Sequence, residues 1–348
     1  LFVDGQLVSS ASWYPFDAFL YGETTTIHGL ASVISDPAHR RLGYVGELLE
    51  HGLTQLREEG AAWCLEYPFD TRFYRKYGWH TVANGAFFEV PPERFAEHRV
   101  ESNARRLVEF DDRDLDEIAE IYECWASTFN FTLRARGAPL GGWSRILEGR
   151  PWSDAPRYTY LMENAYAVLH LDERDDQEVL TVLDYAFASP GGRRELFGLL
   201  GRFRGQSDLV RLQLPVDDPL SFEWSNFTVP HPHPLHARVV DVREALGELG
   251  SSELDLVLSI HDEVCSWNNG RFRVRSQDGS TEVEEASDAY DLHVDIGDLA
   301  RGLSGTLSSE QAIRCGVFDG AQQHVRALIA VEVALGPRIL VAADDDVR

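Results

Sequence analysis

Apolar positions along the chain recur at two periods, and these set out the elements. In residues 43–59 they fall at Val45, Leu48, Leu49, Leu53 and Leu56, one face of a helix that Gly60 stops. Residues 30–34 before it and 61–66 after it read as strands. The result is strand, loop, helix, strand, an order that sets a helix N-terminus at the end of a sheet. The first eight residues read as a hairpin turning at Asp4-Gly5. Further along, 115–125 is predicted helical and 158–162, 165–171 and 178–186 are predicted strands. A second hairpin is expected to turn at Trp267-Asn268-Asn269-Gly270, between the apolar run 256–260 with its polar extension and 271–275. Residues 292–296 add a strand, with helices after it. The fold class is mixed, α+β / α/β.

Punctuation divides this pattern into three units, 1–103, 104–230 and 231–348, each within the usual domain range. The first boundary follows Pro91-Pro92, where a strand-like run gives way to polar, charged chain. The second is Val229-Pro230-His231-Pro232-His233-Pro234, whose prolines argue against a helix or a central strand and for a linker. Two of the histidines 231, 233 and 236 alternate with those prolines, and no Cys, Asp or Glu follows before Asp241. A solvated linker is the expected reading, and no metal site is expected.

Charge changes the functional picture more than size does. The 348 residues carry 57 Asp+Glu against 32 Lys+Arg, a net charge of −25, and Lys76 is the sole lysine. A nucleic-acid partner is excluded, because a phosphate backbone needs a basic footprint. The acidity fits either a cationic substrate or, preferred here, a halophilic surface adapted to concentrated salt. The four cysteines lie 50 or more positions apart, which points to free thiols in a reducing, cytoplasmic setting. No apolar run reaches the roughly 18 residues of a membrane span, and no signal segment opens the chain. Because Leu1 is not an initiator methionine, the natural chain is expected to begin further upstream.

Several chemistries lack their atoms. The sole lysine is not in a P-loop, and there is no G-x-S-x-G, H-E-x-x-H or G-x-G-x-x-G. The informative segment is Asp36-Pro37-Ala38-His39-Arg40-Arg41-Leu42-Gly43-Tyr44-Val45-Gly46. A strand ends, two arginines follow, and an amphipathic helix starts at a glycine. Helix-start amides and guanidinium forks together suit an anion such as pyrophosphate. An ordinary βα loop with solvated arginines is the alternative. The next strand leads through Tyr67-Pro68-Phe69-Asp70 into Phe73-Tyr74-Arg75-Lys76-Tyr77-Gly78-Trp79.

These paired motifs resemble the acetyl-coenzyme A site of the GNAT N-acetyltransferases. The superfamily's Arg-x-x-Gly-x-Gly/Ala loop is matched by Arg40, Gly43 and Val45, with valine in the last small position. Within the superfamily the likeness is to the enhanced intracellular survival (Eis) family, with two acetyltransferase-like units and a sterol-carrier-like α+β domain. Arg238-Val239-Val240-Asp241-Val242, Cys265-Ser266-Trp267-Asn268-Asn269-Gly270-Arg271-Phe272 and Ala334-Leu335-Gly336-Pro337-Arg338 resemble that third domain. The likeness is weakest between about residues 105 and 227.

The resemblance implies that backbone groups of Val33, Ile34 and Ser35 pair with the pantetheine arm of acetyl-coenzyme A. It implies that Arg40, Arg41, Gly43 and Tyr44 hold the pyrophosphate, and that Tyr74 is the general acid, where a plain core aromatic is the alternative. Asp70, four residues before Tyr74, is expected to meet a cationic amine or else to be a solvated loop carboxylate. Trp79, with Phe69 and Tyr14, is a candidate for the cavity wall or for core. Family members end in an aromatic residue whose carboxylate enters the site, whereas this chain ends Asp344-Asp345-Asp346-Val347-Arg348. A natural chain running past Arg348 is expected, with Asp344 to Asp346 or water alone as alternative bases. The expected function is transfer of an acetyl group to the primary amine of a cationic small molecule or lysine-like side chain, by a homo-oligomer. The alternative is a binding protein that holds an apolar ligand in the sterol-carrier-like domain.

Overall fold

The computed structural model describes residues 1–98, 103–134, 147, 156–215, 218–224, 231–249 and 253–329. In chain order the first elements are β1 (Phe2–Val3), β2 (Gln6–Leu7), β3 (Ser9–Leu20), β4 (Glu23–Ser35), α1 (Tyr44–Glu58), β5 (Trp63–Glu66), α2 (Thr71–Arg75) and β6 (His80–Val90). There follow β7 (Arg105–Leu107), α3 (Asp112–Ala126), β8 (Thr132–Leu133), β9 (Tyr158–Leu161), β10 (Ala165–Arg174), β11 (Gln177–Phe187) and β12 (Leu209–Pro215). The remaining strands are β13 (His231–Val239), β14 (Leu254–His261), β15 (Gly270–Gln277), β16 (Ser280–Glu285), β17 (Leu292–Asp295) and β18 (Asp319–Gly320). By compactness the described residues divide into one unit of 1–83 with 234–329, and a second of 84–233.

In the first unit, strands run in the order β13-β5-β4-β3. β3 and β4 form a long antiparallel ribbon from Leu20↔Glu23 to Ser9↔Ser35, with an irregularity between Ser10 and Ser12. Opposite it Ser32 takes a φ of 53°, the left-handed region that a residue other than glycine seldom visits. β4 runs parallel to β5 over only three pairs, His28↔Cys64 to Leu30↔Glu66. The helix α1 packs Leu49, Leu53 and Leu56 into a core with Leu30, Cys64, Tyr74 and Trp79. Its glycines serve close approach. A Cβ on Gly52 would lie 2.1 Å from Trp13 Cζ2, and one on Gly46 would lie 2.5 Å from the Tyr77 hydroxyl.

The same unit holds a sheet in the order β16-β15-β14-β17-β18, with helices Val242–Gly247, Ile296–Leu303, Ser309–Cys315 and Gln322–Ile329. Within the motif Cys265 to Gly270, the buried Asn268 and its neighbour Asn269 tie a polar knot. Asn268 accepts from Val242 N–H at 3.0 Å and donates to Val240 O at 3.2 Å and Asp262 Oδ2 at 2.9 Å. Asn269 exchanges two hydrogen bonds with the Asp262 backbone, both 2.8 Å. These bonds satisfy backbone groups where the chain turns, as burial requires.

The second unit is one sheet in the order β7-β9-β10-β11-β12, closed by residues 85–90 of β6. Its pairs are antiparallel except β11–β12, which is parallel from Val179↔Leu209. Phe88, Leu169, Leu180 and Leu212 bury against Leu196 and Phe197 of the helix Pro190–Leu200. Asp111 and Asp114 close a capping box at the start of α3.

Three sequence readings change. The proline-rich run read as a linker is strand: β13 starts at His231 and its ladder with β5 covers residues 236–239. Pro232 and Pro234 precede that ladder, so their missing N–H groups cost it nothing. The hairpin expected at Trp267 to Gly270 is antiparallel as read, but a longer connection with a 3₁₀ turn at Ser266–Asn268 joins its strands. Ile296 opens a helix and does not close β17. Among the described residues no helix is long and apolar enough to cross a membrane. The Ala334 to Arg338 motif and the acidic residues 344–346 lie outside the described residues.

Candidate active site

The site is built where β4 and β5 part. The parallel pairing stops at Leu30↔Glu66, while β4 continues to Ser35. Val33, Ile34 and Ser35 therefore extend past the end of β5, and Ile34 is 61% exposed. Their other edge is taken by β3, with Ser10↔Ile34 and Ser9↔Ser35 in register.

Beyond Ser35 the chain turns. Asp36 accepts the Ala38 N–H at 3.0 Å and meets His39 Nδ1 at 2.9 Å, which caps the 3₁₀ turn Pro37–His39. The Ala38 amide first, and His39 second, hold its carboxyl below the ordinary range. Arg41 (φ 66°) and Gly43 (φ 92°) are both left-handed. Gly43 is the N-cap of α1 and has no side chain to cap it. The first intrahelical bond is Glu47 N–H to Gly43 O at 3.2 Å, so the amides of Tyr44, Val45 and Gly46 have no intrahelical acceptor. Arg40 and Arg41 are exposed, and among the described residues neither is in an ion pair. Free amides, the positive end of a helix and two unpaired guanidiniums form one anion-favouring loop.

Tyr74 stands on the last turn of α2. It is 3% exposed, edge-on to Phe69 (5.4 Å), Phe73 (5.1 Å) and Trp79 (6.1 Å). Among the described residues no hydrogen bond engages its hydroxyl. Burial, reinforced by the charge of Glu66, pushes its phenol well above the ordinary value, so it keeps its proton.

Asp70 is the N-cap of α2. Its Oδ1 accepts the amides of Arg72 at 2.8 Å and Phe73 at 3.3 Å, a local structural duty beside any role toward an amine. Trp79 is fully buried, with an indole N–H that has no hydrogen-bond partner among the described residues. Phe69 is 73% exposed and Tyr14 is half-buried on β3.

Sequence reading missed one pair. His236, considered there only as a metal ligand, lies opposite Glu66 in the β5–β13 ladder, Nδ1 to Oε1 2.9 Å, both side chains out of water. Burial raises the Glu66 pKa, partly offset by His236. A carboxylate closing the otherwise apolar run Trp63-Cys64-Leu65 was the available signal.

Residues 1–82 and 139–243 match two acetyltransferase (GNAT) domain families, and residues 242–334 match a sterol carrier protein domain family. The chain carries two GNAT acetyltransferase domains followed by a sterol carrier protein domain. An uncharacterized N-acetyltransferase of Streptomyces coelicolor is 30% identical over 217 residues, which span 61% of this chain and 46% of that one. The chain thus spans less than half the length of that relative. Among solved structures, a GCN5-related N-acetyltransferase from Anabaena variabilis superposes with a TM-score of 0.85 at 20% identity, covering 97% of this chain and 88% of that one. Eis1 from Mycobacterium abscessus superposes with a TM-score of 0.78 at 20% identity, covering 97% and 89%. The fold class and the family resemblance read from the sequence both stand.

Proposed function

We propose that this chain is an acetyl-coenzyme A-dependent N-acetyltransferase acting on the primary amine of a cationic small molecule or lysine-like side chain. The observation that carries the reading is the parting of β4 from β5 at Leu30↔Glu66, with the α1 anion loop following β4 and the protonated phenol of Tyr74 on the helix that follows β5. Bound acetyl-coenzyme A supplies an activated acyl thioester. Past Leu30, backbone N–H and C=O groups of Val33 to Ser35 offer strand-like hydrogen bonds to the pantetheine amides. Arg40, Arg41 and the α1 amides neutralise and orient the pyrophosphate. Tyr74 donates its hydroxyl hydrogen to the departing sulfur. A thiolate of reference pKa about 8.5 is a strong acceptor for that bond.

Asp70 and the acidic surface favour a cationic acceptor, which sheds its extra proton to solvent before attack. The experiment has two arms, each run at low and at molar salt. Calorimetry with acetyl-coenzyme A is expected to show one site per chain. A screen of primary amines, read by thiol release, is expected to find turnover with polycationic acceptors. Absence of cofactor binding at both salt concentrations removes the reading.

A further inference from the structure

Glu66 and His236 are the one carboxylate–imidazole pair among the described residues in which both side chains are buried, at 1% and 0% exposure. Although Nδ1 and Oε1 are 2.9 Å apart, neither carboxylate oxygen and neither ring nitrogen has an aligned hydrogen-bond partner among the described residues. Such a pair is costly. Unsatisfied buried polar groups destabilise, and an apolar pair of similar volume would pack there more cheaply. Costs of this kind concentrate at functional sites.

Position supports the same conclusion. Alternation along β5 puts Glu66 on the same face as Cys64, and Cys64 packs in one cluster with Tyr74 and Trp79. Burial first, and the Glu66 charge second, raise the pKa of both the Tyr74 phenol and the Cys64 thiol. Two neighbouring titratable groups have partners of their own. Arg238, opposite Cys64 on β13, is bound by Asp262. His28, opposite Cys64 on β4, faces Glu59 at 3.6 Å.

We propose that Glu66 and His236 together accept the proton that the acceptor nitrogen sheds during acetyl transfer and return it to the Tyr74 oxygen. The proposal rests on the transferase reading above. As the C–N bond forms and the C–S bond breaks, nitrogen loses one proton and sulfur gains one. The pair, carrying one net negative charge, takes the first, directly or through one water, and becomes net neutral. Tyr74 supplies the second to sulfur, and the pair's proton then restores the phenol, so the protein ends as it began. The order is electrostatically favourable. Until the pair is protonated, the Glu66 charge opposes loss of the Tyr74 proton, and neutralising that charge lifts the opposition at the moment sulfur needs a donor.

The test compares the wild-type protein with Glu66→Gln, His236→Gln and the double variant, whose two amides can bond each other if a single change leaves an unpaired group that prevents folding. Calorimetry with acetyl-coenzyme A and the pH profile of kcat between pH 5 and 9 are the readouts. Cofactor Kd should stay within about twofold while kcat at neutral pH falls about 30-fold or more, with the double variant no worse than the singles. The wild-type profile should fall on the acid side as the Glu66 carboxyl takes up its proton, and that inflection should move in His236→Gln and vanish in Glu66→Gln and in the double variant, where the carboxyl is gone. Variants that keep both rate and inflection overturn the proposal, as does a loss confined to Kd, which would mark a structural pair. A wild-type protein that binds no acetyl-coenzyme A overturns the transferase reading instead and takes this proposal with it.

Discussion

Arg238 donates to Asp262 Oδ2 at 2.6 Å with neither side chain more than 1% exposed, and the same carboxylate gathers the amides of Val264 and Cys265 at 3.0 Å each. Above the guanidinium, Gly78 has a φ of 82°, and a Cβ there would lie 2.8 Å from Arg238 Cζ. The glycine of the Tyr-Gly-Trp motif thus makes room for a cation 160 residues away in sequence.

Removing one partner of this pair leaves a buried charge with nothing to neutralise it. Asp262→Ala is therefore expected to lower the unfolding free energy by about 3 to 5 kcal/mol. Denaturant unfolding followed by tryptophan fluorescence measures it, and a loss under about 1 kcal/mol would show that water replaces the carboxylate.

At the α1 loop, Arg40 and Arg41 are exposed and free of ion pairs among the described residues, so truncating them should leave the fold unchanged. Each charge-assisted phosphate contact is worth about 1.5 to 3 kcal/mol, hence about tenfold or more in affinity. Calorimetry should show acetyl-coenzyme A binding weakened by that factor in Arg40→Ala and in Arg41→Ala, and further in the double variant. Unchanged affinity in the double variant would move the pyrophosphate elsewhere.

Tyr74→Phe removes a hydroxyl that no described residue engages and keeps the ring that packs on Phe69, Phe73 and Trp79. Melting temperature and cofactor Kd should hold while kcat falls about 10²-fold, the size of a lost proton donor. Equal losses in Kd and kcat would assign the phenol to packing.

Glu248 links stability to pH. It accepts Thr25 Oγ1 at 2.6 Å and Trp63 Nε1 at 2.8 Å, yet burial outweighs these bonds and raises its pKa above the ordinary 4.5. A carboxyl that holds its proton more tightly folded than unfolded adds stability below pH 4.5 and loses that contribution as pH rises through its folded value. In Glu248→Gln that component of the pH dependence should disappear, so the difference in melting temperature between variant and wild type should become more favourable to the variant from pH 4.5 upward. A difference that stays constant with pH would show that Glu248 is not the group responsible.

Local chemistry made much of this protein legible in one dimension. The α1 stripe of Leu49, Leu53 and Leu56, the Gly60 stop and the apolar runs that became β4 and β5 are read from spacing, because helix and strand periods are properties of neighbouring residues. The Arg40–Gly43 loop and the Phe73 to Trp79 motif were legible for the same reason: each is a continuous segment. What lies between segments was not. The proline-rich run became β13 because its partner strand supplies the ladder past both prolines. Asn268, read only as part of a turn, became a bridge to Val240 and Val242. The pairing of Glu66 with His236 depends on strand order and on register, since a slip of one residue would turn His236 to the opposite face. No local period encodes a contact across 170 positions, so the tertiary structure alone decided which carboxylate and which imidazole stand together.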